Sequence, residues 1–184
     1  MNKTCLTLDN TKKIISEFSP NIWDKIPDID LYMDQLISYM KKQHIGFALE
    51  SEENITAAMV NNYIKHNIMS RAKGKRYDKT HIAELTAICL LKQVISINDT
   101  GELLKYALEN VDHEHFYNIF KDMLLENVDK NLSSLNDIMN DTDDNWQVIL
   151  NLAISSYIQK LLCEELIKIT INNNLSIEKE SKKK

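Results

Sequence analysis

Glycine and proline are scarce, with three and two among 184 residues. Strands need turns built from such residues, so the shortage argues against a sheet-rich protein and predicts an all-α fold. Cysteine is scarce too. Cys5, Cys89 and Cys163 are odd in number, far apart and without C-x-x-C pairing, which argues against a disulfide framework or a cysteine-based zinc site and fits buried thiols in a reducing compartment. No apolar run approaches the roughly 20 residues that span a bilayer, and the N-terminus lacks the apolar core of a signal peptide. The expectation is a cytoplasmic protein with no membrane partner. The sequence also has no glycine-rich phosphate loop, no G-x-S-x-G and no Cys-His arrangement of defined spacing, so no catalytic residue, no cofactor and no enzymatic activity are expected. His113-Glu114-His115 invites a metal reading. Side chains two apart on a helix diverge, however, and no third ligand follows at helical spacing, so no metal site is predicted.

What is present begins with charge. The net charge is -5, from 22 bases and 27 acids. Between Thr56 and Lys79, six cations (Lys65, Arg71, Lys73, Lys75, Arg76 and Lys79) meet only Asp78, which makes this stretch +5 and leaves -10 for the remainder. A basic island on an acidic body points to a phosphate-bearing partner. His66 and His81 flank it and are expected to be exposed.

The hydrophobic content of 43% is enough for a core, and its periodicity orders the chain. Residues 1–29 form an arm with a short helix at Lys12 to Phe18, packed on the body by Trp23 and Ile26. A helix from Asp30 to about Gln43 places Leu31, Met33, Leu36, Ile37 and Met40 on one side, with Asp28 or Asp30 as its cap. Gly46 and the acidic Glu50 to Asn54 mark a loop. Thr56 caps a short helix through Lys65 or His66, and Asn67 is a left-handed terminator. Ile68 to Tyr77 has no helical period, and Gly74 between Lys73 and Lys75 predicts a tight basic hairpin. Asp78 opens a helix to about Val94 that is buried all round, and Ser96-Ile97-Asn98-Asp99 resembles a capping box for the next, with Leu103, Leu104, Ala107 and Leu108 inward. Two long helices follow, roughly His113 to Met139 and Asn145 to Ile171, with a turn at Asn140 to Asp144 between them. Asn172-Asn173-Asn174 then starts a flexible polar tail, 173–184. In the last helix, Trp146, Ile149, Leu150, Ala153, Tyr157 and Leu161 form one stripe that Val148, Leu152, Ile158, Leu162 and Leu166 broaden. Such a helix must bury two sides, one against its own core and the other against a second copy in a homodimer, the alternative being the central helix of a monomeric bundle.

The order of capped short helix, basic loop and capped buried helix resembles the winged helix-turn-helix of the MerR regulators. Thr56 stands at the cap, Val60 at the aliphatic position, Asn61 at the polar contact position where Arg is usual, and Tyr63 at the tyrosine. Asn67-Ile68 stands at the Gly-Leu stop, and Arg76-Tyr77 at the end of the wing. Over Trp23 to Leu104 the chain also resembles a bacterial family known only as domain of unknown function family 1836. That likeness rests on Pro27 to Gln35, Met59-Val60-Asn61-Asn62-Tyr63, Lys75-Arg76-Tyr77 and Cys89-Leu90-Leu91-Lys92-Gln93.

These resemblances imply a winged helix-turn-helix at about 30–95 and a helical region at 96–172 for dimerisation or for sensing an effector of unknown identity. The expected function is transcriptional control through double-stranded DNA. Thr56, Asn61, Asn62, Lys65, Arg71, Lys73, Lys75 and Arg76 are the expected contact residues: the carboxamides for base edges, the cations for phosphates. Tyr63 and Tyr77 are expected to be core plugs. The alternative is a helical protein-interaction or scaffolding module that has lost DNA binding.

Overall fold

The computed structural model describes residues 12–13, 15–16, 19–43, 55–141 and 145–181. Of the expected Lys12 to Phe18 helix, Lys12, Lys13, Ile15 and Ser16 are helical and the rest lies outside the described residues, as do the Gly46 to Asn54 loop and Thr142 to Asp144. Among the described residues there are six α-helices and no strand beyond two isolated bridges, an all-α architecture.

A 3-10 turn at Trp23–Lys25 precedes α1, Met33–Lys42. The first expectation to fail is the cap of α1, which falls on Tyr32 instead of Asp28 or Asp30. Leu31 exchanges two backbone hydrogen bonds with Tyr77, at 2.8 and 2.9 Å, and this holds the chain extended past both aspartates. The Gln35 side chain then takes the Tyr32 N–H at 2.9 Å.

Helix α2, Ala57–Lys65, starts where the Thr56 hydroxyl accepts the Met59 N–H. It ends in a Schellman motif. The Ile68 N–H reaches the Tyr63 carbonyl, the Asn67 N–H reaches Ile64, and Asn67 adopts φ +56°, a conformation Asn tolerates better than most residues. Helix α3, Lys79–Leu91, is the centre of the molecule, with every residue from His81 to Cys89 buried. It stops short of Val94 because its last turn tightens into i to i+3 bonds, Gln93 to Leu90 and Val94 to Leu91, that lead into the next cap. There Ser96 receives the Asp99 N–H and opens α4, Ile97–Asn110. Gly101 allows α4 to approach the end of α2 closely, since a Cβ there would lie 3.1 Å from Ile68 Cγ1.

Helices α1, α4 and α5 (His113–Asp141) pack on α3, and Leu36, Met40, Val60, Leu85, Ile88, Leu104 and Tyr117 close the core around it. Each such aliphatic side chain contributes about 1.5–3 kcal/mol by leaving water. The N-terminal arm docks as expected. Ile26 is buried, the Trp23 ring lies 5.7 Å from that of Tyr117, and the Tyr117 hydroxyl donates to the Asn21 carbonyl at 2.7 Å.

Helix α6, Asn145–Ser181, overturns two expectations. It runs through Asn172-Asn173-Asn174, where a break and a flexible tail from 173 were expected. Asn costs only some tenths of a kcal/mol per helical position, and no Gly or Pro follows to force a stop. Nor does the chain's own core cover one side of it: Val148 is the single buried residue between Trp146 and Leu166. No helix of the described residues is long and apolar enough to cross a membrane.

Candidate nucleic-acid interface

The inner side of α2 is fixed by Val60 and Tyr63, both buried, with Met59 and Ile64 half-buried beside them. At 100° per residue, Ala58, Asn61, Asn62 and Lys65 fall within an arc of about 100° on the opposite side, and all four are exposed. The two carboxamides and one cation expected to contact DNA therefore share one outward face. Thr56 lies at its N-terminal end, with its hydroxyl oxygen accepting from Met59.

Between α2 and α3 the chain forms the expected hairpin. Arg76 N–H bonds to the Lys73 carbonyl at 3.1 Å across Gly74 and Lys75, whose φ values are +58° and +63°. Two successive positive φ angles define a type I′ turn, the tight connection that matches strand twist. Gly74 accepts this without strain, whereas Lys75 holds it against its Cβ. The turn projects Lys73, Lys75 and Arg76, all exposed, and the Leu31 bridge at Tyr77 ties its base to the entrance of α1. Arg76 lies over the exposed ring of Tyr32, 5.5 Å from its centroid, with Nη2 3.4 Å from the hydroxyl. Lys79, although part of the basic island, turns onto Trp23 instead, 4.7 Å from the ring centroid. Tyr63 and Tyr77 are buried plugs, as expected. Burial pushes the Tyr63 phenol up to about 12, with Cys89 adding to the rise, and raises Tyr77 as well.

His81, expected to be exposed, is buried under the hairpin, edge-on to Tyr77 at 5.5 Å. Its position follows from capping. Asp78 Oδ1 accepts the Thr80 and His81 amides, at 3.0 and 3.3 Å, and the Thr80 hydroxyl at 2.6 Å. The same oxygen lies 2.7 Å from His81 Nδ1, so the ring is drawn back over the cap. Burial by itself would raise the Asp78 carboxyl, but the hydrogen bonds from Thr80 and His81 and the attraction of the His81 ring outweigh it and hold it at about 2.

One group escapes sequence reasoning. Glu84, on α3 and buried, accepts the Ser70 N–H and hydroxyl at 2.7 Å each, and its Oε1 lies 2.8 Å from His113 Nε2. It binds the loop between α2 and the hairpin to the first residue of α5. The only signal for it is a glutamate inside an otherwise buried helix, because its partners are 14 and 29 residues away. Arg71 lies beside this network, in a cavity of about 350 Å3 also lined by Lys105, Glu109 and His113. His113 turns inward to Glu84 while His115 is exposed, and no cluster of three metal-ligating side chains occurs among the described residues.

No curated protein and no solved structure matches the chain. A family model does, over residues 21–121, which extends past Leu104 through α4 and into α5 and so takes in the cap at Asp78, the hairpin, Glu84 and His113. That match covers more than half of the sequence, and the chain belongs to the family described as domain of unknown function DUF1836.

Proposed function

We propose that this protein is a DNA-binding transcriptional regulator, in which α2 reads the major groove and the Lys73–Arg76 hairpin grips the adjacent backbone as a MerR-like wing. The observation that carries the reading is the shared outward face of Asn61, Asn62 and Lys65 beside a cationic type I′ hairpin, on a chain whose remaining charge is -10. A carboxamide can pair its donor and acceptor with an adenine edge, while Lys65, Arg71, Lys73, Lys75 and Arg76 neutralise phosphates on both sides of the groove. The Schellman end of α2 and the Glu84 network hold reader and wing at one fixed angle. This matters because a base contact displaced by an ångström is lost.

The test is binding of fluorescent duplex by the full chain across a salt series, first with a genomic fragment library and then with the selected site. Affinity is expected to fall linearly in log-log form, by about 0.9 units of slope per phosphate contact. Asn61→Ala with Asn62→Ala is expected to cost about 1–3 kcal/mol on the selected site, much less on random duplex, and to leave the slope unchanged. A folded double variant that keeps full discrimination removes these residues as readers. Failure of the folded wild type to bind any duplex at low salt overturns the proposal and leaves the protein-interaction module as the reading of this face.

A further inference from the structure

The exposed apolar surface is concentrated on one stretch of α6. Every residue from Ile149 to Leu162 is exposed, and the fifteen residues from Asn145 to Gln159 include no charge. Ile149, Ile154, Tyr157 and Leu162 are 66, 54, 60 and 59% exposed. At 100° per residue they point in four different directions, so a single flanking helix cannot cover them. Exposed large side chains of this number leave on the order of 1,000 Å2 of apolar surface. A monomer rarely shows a patch above about 300–600 Å2, and a standard interface buries about 800 Å2 per partner.

At the same 100° per residue, Leu150, Tyr157, Ile158 and Leu161, all exposed, lie within about 60° of Ile154. A twofold axis beside Ile154 sets this apolar face of one copy antiparallel against the same face of the other. Self-complementarity about an axis is the requirement of an isologous dimer. Charge favours the same occupant: an uncharged face loses no ion hydration against its own copy, whereas a lipid surface would call for a cationic polar face that Asn145–Gln159 lacks. Charges resume at Lys160, Glu164 and Glu165, at the rim.

We propose that two copies of this chain pair antiparallel along α6 about an axis at Ile154, with Leu150, Ile154, Tyr157, Ile158 and Leu161 of each against the same residues of the other. The outer halves of the two α5 helices cover the remaining sides. On α5, Leu125, Val128, Leu132 and Leu135 recur at three- and four-residue spacing, the pattern of a helix-packing seam. This inference is independent of the DNA reading.

Sedimentation of the full chain at 1–50 µM tests it. The wild type is expected near twice 21.4 kDa. Ile154→Asp sets two carboxylates face to face on the axis and is expected to weaken pairing by on the order of 100-fold or more. Mass should fall to one chain, with helical circular dichroism unchanged because Ile154 is 54% exposed in the single chain. A wild type that stays monomeric at tens of micromolar overturns the proposal. So does a dimer that survives Ile154→Asp.

Discussion

Asp78 shows how much structure one side chain can organise. It caps α3, draws His81 into the core beneath the hairpin and so sets the base of that hairpin. Its carboxyl is held at about 2, below the ordinary 3.8. A group depressed in this way contributes its stability fully above about pH 4 and loses it as pH falls through about 2. Asp78→Ala should therefore destabilise the fold by about 0.5–2 kcal/mol at neutral pH. In urea melts, the gap between wild type and variant should narrow between pH 4 and pH 2. A gap independent of pH would show that packing of the aspartate, and not its charge, carries the effect. Glu84 works at longer range. Glu84→Ala strands the Ser70 amide and the His113 ring, and is expected to cost about 1–3 kcal/mol for the buried groups left unpaired. His113→Ala, at a half-buried position, should cost less. Equal losses in the two variants would mean that the glutamate's bonds to Ser70 contribute nothing.

At the level of elements, the hairpin offers a test in which stability and binding move in opposite directions. Lys75 holds φ +63°, a conformation that costs a residue with a Cβ about 1–2 kcal/mol and glycine little. Lys75→Gly should therefore stabilise the fold by about 0.5–1 kcal/mol after the added entropy of the unfolded chain. If the lysine touches a phosphate, the same change weakens DNA binding and lowers the salt slope by about one. A variant that gains stability at unchanged affinity removes Lys75 from the interface. The elements themselves were legible wherever the chain announces them locally. The caps at Thr56, Asp78 and Ser96, the terminator at Asn67 and the glycine of the hairpin all act within a few residues, and each stands where the sequence puts it. Some failures come from interactions at long sequence separation and others from local choices that the pattern leaves open. The bond between Leu31 and Tyr77 moved the start of α1 and Glu84 found partners on two other elements, whereas His81 is buried by a cap only three residues before it and α6 runs on because neither Gly nor Pro follows to stop it. The outward face of α2 could be read from its 3.6-residue period. The pairing of Arg76 with Tyr32 spans 44 residues and left no local trace.

For the whole molecule, the two proposals make a joint prediction that neither makes alone. A twofold dimer carries two copies of α2 related by the same axis, so the DNA it selects should be an inverted repeat, with each half-site read by one Asn61, Asn62 and Lys65 face. Ile154→Asp leaves every residue of α2 and the hairpin in place, and Ile154 lies on a different element from either. Its monomer should therefore bind the selected site with the phosphate contacts of one copy. The log-log salt slope should fall to about half the wild-type value, since released counterions scale with contacts. Affinity should drop much further than the slope implies, because the second half-site is no longer tethered to the first. Discrimination within a single half-site should persist, because the base-reading face is untouched. An unchanged slope in a variant shown to be monomeric would mean that one copy makes all the contacts, severing the dimer from the reading of DNA. Loss of half-site discrimination along with the slope would mean instead that the dimer is needed to hold α2 in its reading position.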